Sequence, residues 1–271
     1  MKIIKKVFNF YIFSNIHVAL SCFCFTKLSL LYWQNNGNTA PIFVFFATLL
    51  SYNYIRLTRI NQIKVWLYDW IKSRKKSILT LSILSFLGCV YLLFNVQLKA
   101  FLILIPFGFL TLLYVMPPVI SKKINLRNLP AFKIFIIALS WAGITVLFPL
   151  LQQNVFSDKV LWLFVQRFLF VVALTLPFDI RDVQYDSKSL MTLPLWIGVK
   201  NSKILGLLFL SLSLLIEVFI VGLGSIWITI FVAVCLAILL LKASTKQNKY
   251  YSAFWLEGIP IMWLGLYILF T

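Results

Sequence analysis

The sequence predicts an all-α membrane protein, a bundle of helices that crosses a bilayer many times, and three observations carry that prediction. Of 271 residues, 62% are hydrophobic and only 12% are charged, too little charge to cover a water-soluble domain of this size. Apolar runs near 20 residues, the length that crosses a bilayer as a helix, recur along the whole chain. Inside lipid such runs satisfy their own backbone hydrogen bonds as helices, and the period-two alternation of a barrel strand is missing from them.

Nine spans are expected in one transmembrane domain over 1–271, at about 8–33, 40–57, 77–95, 98–116, 131–151, 160–178, 203–222, 225–242 and 252–270. The first follows Lys2, Lys5 and Lys6 as a secretory signal would. Its apolar stretch is too long for one and no small-residue cleavage site follows, so it reads as an uncleaved helix. The N-terminus and the connections after spans two, four, six and eight hold 21 of the 25 lysines and arginines. The positive-inside rule then sets the N-terminus in the cytoplasm and the C-terminus outside, in a cytoplasmic (inner) membrane. The net charge of +18 is accordingly a topology and headgroup signal rather than a nucleic-acid footprint, because it sits in short loops between spans. Cys22, Cys24, Cys89 and Cys235 all fall in apolar helices, where cysteine behaves as a small hydrophobe. They predict neither a disulfide nor a zinc site.

Charge inside the apolar segments needs a reason. Three of the seven acidic residues crowd the cytoplasmic end of span six as Asp179, Asp182 and Asp186. At i, i+3 and i+7 they share one helix face. Like charges so placed repel unless a cation joins them, and a hard divalent ion is the natural partner, with an ordinary solvated helix end as the plainer alternative. Arg181 and Lys188 are further candidates to meet these carboxylates or phosphate oxygens.

The run Asp179-Ile180-Arg181-Asp182 with Asp186, then Thr192-Leu193-Pro194 and Gly198, closely resembles the second aspartate-rich motif of UbiA-type membrane prenyltransferases. That resemblance implies nine helices, active-site loops in the cytoplasm and an isoprenoid diphosphate held by Mg2+. Asp182 and Asp186 would ligate the metal and Asp179 would support them. It further implies a lipophilic or aromatic acceptor for the prenyl group. Tyr114, followed by Pro117, Lys122 and Lys123, looks like the family's element in which the tyrosine lies near the reacting allylic carbon and a basic residue holds diphosphate. An interfacial tyrosine beside loop lysines is the plainer alternative. Over about 58–76, Ile63, Trp66, Leu67, Trp70 and Ile71 at helical spacing among basic residues predict an interfacial amphipathic helix, which in this family caps the site, with a plain membrane-surface helix as the equal alternative. The aspartate-rich loop is expected over about 179–203.

The family's first motif is degenerate here. Asn53 survives, but Tyr54, Leu57 and Asn61 stand where carboxylates belong. Arg56 and Arg59 would then contact phosphate oxygens directly, since a guanidinium matches that geometry. Besides a transferase, the sequence admits a catalytically degenerate relative that binds lipid or scaffolds partners and, more remotely, a transporter. Depth along the helices predicts that Arg167 and Glu217 pair in the bundle interior. Glu257 reads as a helix-end carboxylate that reaches water, with a place on the cavity wall as the alternative. His17 reads as a packed, hydrogen-bonded histidine.

Overall fold

The computed structural model describes residues 2–58, 65–115, 132–184, 192–222 and 225–271. Every secondary-structure element among them is helical. Six helices are long and apolar enough to cross a membrane: Thr39–Thr58, Lys75–Leu93, Lys133–Gln152, Asp158–Asp182, Gly198–Ile220 and Tyr251–Phe270. A seventh crossing is present if the bent pair Lys2–Phe13 and Ile16–Leu31 counts as one span, and Leu98–Thr111 and Ile226–Lys242 are shorter apolar helices. Each of the nine expected segments thus coincides with helix, while length and composition support six or seven full crossings.

In chain order the helices are α1 (Lys2–Phe13), α2 (Ile16–Leu31), α3 (Thr39–Thr58), α4 (Val65–Ser73), α5 (Lys75–Leu93), α6 (Leu98–Val115), α7 (Phe132–Ala142), α8 (Phe148–Gln152), α9 (Asp158–Asp182), α10 (Leu193–Trp196), α11 (Gly198–Val221), α12 (Ile226–Lys242) and α13 (Ile259–Phe270). Two π-helical turns join them, Gly143–Leu147 between α7 and α8 and Tyr251–Leu256 before α13. The elements pack as a ring, with α9 between α7 and α11, α12 beside α11 and α13, and α2 between α13 and α3. Helix α5 lies outside α3 and shows Ile83, Leu84, Phe86, Leu87 and Tyr91 on its outer side. An apolar band this continuous is suited to lipid rather than water.

The middle of the ring is aromatic. Phe25 meets Trp141, Phe170 and Trp263 edge-on at 5.9–6.3 Å between ring centroids. Arg167 lies on this cluster, its guanidinium carbon 4.1 Å from the centre of the Phe25 ring and 5.3 Å from that of Trp263, positions at which ring quadrupoles attract a cation. The expected pairing with Glu217 is electrostatic rather than a direct contact. The Arg167 guanidinium makes no hydrogen bond among the described residues. Glu217 instead accepts from Tyr32, and from Thr229 at 3.4 Å. Both charges are fully buried and within electrostatic reach of each other, but each has found its own neighbours, aromatic faces for one and hydroxyls for the other.

The first span departs from expectation at its start. Helix begins at Lys2 and breaks at Ser14–Asn15, and α1 and α2 meet at 56°. Asn15 takes the left-handed conformation (φ 67°), which asparagine tolerates better than most residues. Its side-chain amide donates to the Asn53 carbonyl oxygen at 2.7 Å. His17 is packed as expected, with Nδ1 bonded to the Tyr11 hydroxyl at 2.7 Å and Nε2 to the Phe254 carbonyl at 3.0 Å. The amphipathic helix expected within 58–76 is present as α4, where Ile71 is buried and Trp70 packs on Phe10 and Phe13 of α1.

Close packing is most severe where α6 crosses the π-turn. A Cβ at Gly143 would lie 2.2 Å from the Phe107 ring. Gly143→Ala should therefore lower stability by about 1–3 kcal/mol, the usual effect of overpacking, read as a lower unfolding temperature in detergent. Combining it with Phe107→Ala should recover part of the loss, and an unshifted Gly143→Ala midpoint would contradict the packing.

Candidate functional site

The aspartate-bearing end of α9 opens into a cavity of about 190 Å³. Its wall is built from four directions. α9 contributes Leu174, Thr175, Phe178, Asp179, Arg181 and Asp182; α7 contributes Lys133, Ile134, Ile137 and Trp141; α3 adds Tyr52, and Glu257 comes from the start of the last span. The α7 residues recur at helical spacing, so one face of that helix serves the cavity. Deeper in, Trp141 is 6% exposed, and its indole N–H donates to the Tyr52 hydroxyl at 3.3 Å. Behind Trp141 stands the Phe25 cluster, which closes the inner end with packed rings.

Each of the two described aspartates here is matched by a cation. Asp179 is 4% exposed and accepts from the Lys133 ammonium at 3.1 Å. Asp182 sits nearer the mouth and takes both of its oxygens to Arg181, at 2.9 and 3.0 Å. Glu257 faces Arg56 and Arg181 within electrostatic reach. The C-terminal end of a helix carries partial negative charge, so acidic residues at the end of α9 are doubly disfavoured without these partners.

Asp179 and Asp182 therefore share one face and one cavity, as their spacing predicts. Arg181 stands beside them. Asp186, Lys188, Arg59, Lys122 and Lys123 lie outside the described residues, as does the side chain of Tyr114, although that position falls within α6. Two residues of the degenerate first motif have partners within the protein. Asn53 is fully buried against Asn15, and an Arg56 guanidinium nitrogen donates to the Phe13 carbonyl at the end of α1. Neither lines the cavity. Both are occupied in holding the broken first helix against α3, because a buried helix end must have its free carbonyls met. Tyr54, where the first motif would carry a carboxylate, is 54% exposed.

Lys133, Tyr52 and Trp141 were not singled out from the sequence. Lys133 carried a signal, since it opens an apolar helix whose positions 134, 137 and 141 fall on its own side. Glu257 is on the cavity wall, the less expected of its two places.

A model of the UbiA prenyltransferase family matches residues 72–256, more than half of the chain. The chain belongs to this family. Its kind of function is therefore intramembrane prenyl transfer, with an isoprenoid substrate in a lipid environment. No curated protein and no solved structure matches the chain. The matched stretch holds the α7 and α9 walls of the cavity, whereas Tyr52 and Glu257 lie on either side of it.

Removing one member of the buried pair tests the arrangement. Lys133→Met leaves Asp179 without its cation and should destabilise by about 3 kcal/mol, the lower end for a broken buried pair because Lys133 is partly exposed. The double variant Lys133→Met with Asp179→Asn should recover most of this in thermal unfolding. Equal losses in the single and double variants would show that the two residues do not depend on one another.

Proposed function

We propose that this protein transfers a prenyl group from an isoprenoid diphosphate to a lipophilic or aromatic acceptor, with Mg2+, at the cytoplasmic face of the membrane. The orientation has the N-terminus inside and the C-terminus outside. The observation that carries this reading is the cavity itself: paired carboxylates and cations at its mouth, apolar and aromatic walls inward, in a chain of this family. Departure of diphosphate needs charge at one end of a site, and an allylic carbon needs a dry, apolar surrounding at the other.

The donor set suits a hard divalent cation. Asp182 lines the mouth, is partly solvated, and pairs with the adjacent Arg181. Asp182 and Asp186 would hold the metal, with Asp179 as support; among the described residues no group of three or more metal-binding side chains assembles. When bound, Mg2+ would supply positive charge to the diphosphate oxygens. Arg181 and Lys133 add fixed positive charge beside the same oxygens, with Lys122, Lys123, Lys188 and Arg59 as further candidates from the flanking loops. As the bond between the allylic carbon and the diphosphate oxygen breaks, the electron pair leaves with diphosphate. The faces of Phe178, Tyr52 and Trp141 stabilise the positive carbon left behind and keep water from it, while Tyr114 is proposed to stand near that carbon. Bond formation to the acceptor follows, with loss of a proton from it.

A second reading, a relative that binds isoprenoid or lipid without turnover, is favoured by the fate of the first motif, whose Asn53 and Arg56 serve the α1 contact. One assay separates the two. Purified protein is given isoprenoid diphosphates, Mg2+ and a panel of aromatic acceptors, and diphosphate release is measured beside equilibrium binding. Catalysis predicts Mg2+-dependent release that falls by about a hundredfold or more in Asp182→Ala and in Asp186→Ala. Tight binding with no release by the wild type supports the second reading, and the absence of both binding and release overturns each.

A further inference from the structure

The first helix carries two unlike faces, and its first half overhangs the bundle. Lys2, Lys5, Lys6 and Asn9 recur at i, i+3, i+4 and i+7, a single stripe along α1. Ile3, Ile4, Val7, Phe8 and Tyr11 form the opposite stripe. The bundle leaves the first of these uncovered: Ile3, Ile4 and Val7 are 76, 73 and 64% exposed. The three lysines are exposed too, and none pairs with a carboxylate among the described residues.

The second half of α1, by contrast, is held fast. Asn9 accepts from the Tyr250 hydroxyl at 2.6 Å, and Phe8 packs on Tyr250 and Phe254. Phe10 and Phe13 pack on Trp70 of α4, and the Phe13 carbonyl meets Arg56. The left-handed Asn15 fixes the 56° turn into α2. These contacts hold α1 at that angle to α2, with its basic and apolar stripes on opposite sides.

We propose that α1 is an interfacial helix that binds anionic phospholipid, with Ile3, Ile4 and Val7 sunk into the acyl boundary and Lys2, Lys5 and Lys6 on headgroup phosphates. Two features select this occupant over a second copy of the chain. The uncovered apolar patch comprises Ile3, Ile4, Val7 and the partly exposed Phe8, small for a stable protein contact. The lysines flank it with positive charge that no described carboxylate meets, and anionic headgroups attract such lysines. Apolar below and basic above is the arrangement a helix needs to lie within a headgroup layer.

The test uses the full chain in liposomes and needs no prenyl transfer. A polarity-sensitive fluorophore is attached at Ile4→Cys, with the unsubstituted protein as the control for labelling of its own cysteines. Liposomes of phosphatidylcholine alone are compared with liposomes also containing phosphatidylglycerol. Expected are blue-shifted emission and shielding from aqueous iodide in the anionic liposomes. Both effects should weaken several-fold in the Lys2→Gln, Lys5→Gln, Lys6→Gln triple variant or in high salt, with the unfolding temperature unchanged. Equal iodide access in both liposomes, or no response to the lysine substitutions, overturns the proposal. Shielding that grows with protein-to-lipid ratio rather than with anionic lipid also overturns it and assigns the patch to self-association.

Discussion

A carboxylate that is 4% exposed at the end of a long apolar helix cannot stand alone, and in this protein it does not. The Asp179–Lys133 contact at 3.1 Å joins α9 to α7, the two helices that make most of the cavity wall. Desolvating an isolated ion of this kind costs several kcal/mol. The end of α9 adds its own partial negative charge to the problem. The lysine at the start of α7 answers both, and in doing so it sets where the helices separate. Beyond that pair the helices are free to part, and the space between them is the cavity.

The same constraint, charge admitted only with a companion, explains how the rest of the polar groups are distributed. Arg181 is taken by Asp182 in bidentate fashion. Deeper in the bundle Arg167 rests on Phe25 and Trp263, and Glu217 accepts from Tyr32 and Thr229. The two ends of the protein therefore differ in kind. One holds its charges in fixed structural settings, while the other collects them around an opening.

Much of the helical layout was legible because lipid permits so few solutions: each apolar run had to be helix and each coincides with helix, although the first is broken at Ser14–Asn15. The shared face of Asp179 and Asp182 was legible from spacing alone. What escaped was set by contacts between segments far apart in the chain. Asn53 and Arg56 look like remnants of a substrate motif until their partners, Asn15 and the Phe13 carbonyl, are seen some 40 residues earlier. The polar residues Ser14, Asn15 and His17 inside an apolar run were the visible sign of that break. Trp141 and Tyr52 could not be told from lipid-facing aromatics, because composition says nothing about which side of a span a ring occupies. Arg167 and Glu217 were placed at the right depth by their distance along the helices, yet depth does not choose between a direct pair and two separate settings.

Two of the four sides of the cavity adjoin a π-helical turn, Gly143–Leu147 just past Trp141 and Tyr251–Leu256 just before Glu257. Such a turn accommodates an extra residue within an otherwise regular helix. In an α-helix one residue corresponds to about 100° of rotation, so shortening the Tyr251–Leu256 stretch by a single residue would re-phase the last span. Glu257 and the side chains of α13 could not then both keep their present neighbours. The length of these two stretches is consequently under tighter constraint than the identity of most residues in them, and insertions or deletions there would be felt at the cavity even where every lining side chain was left intact.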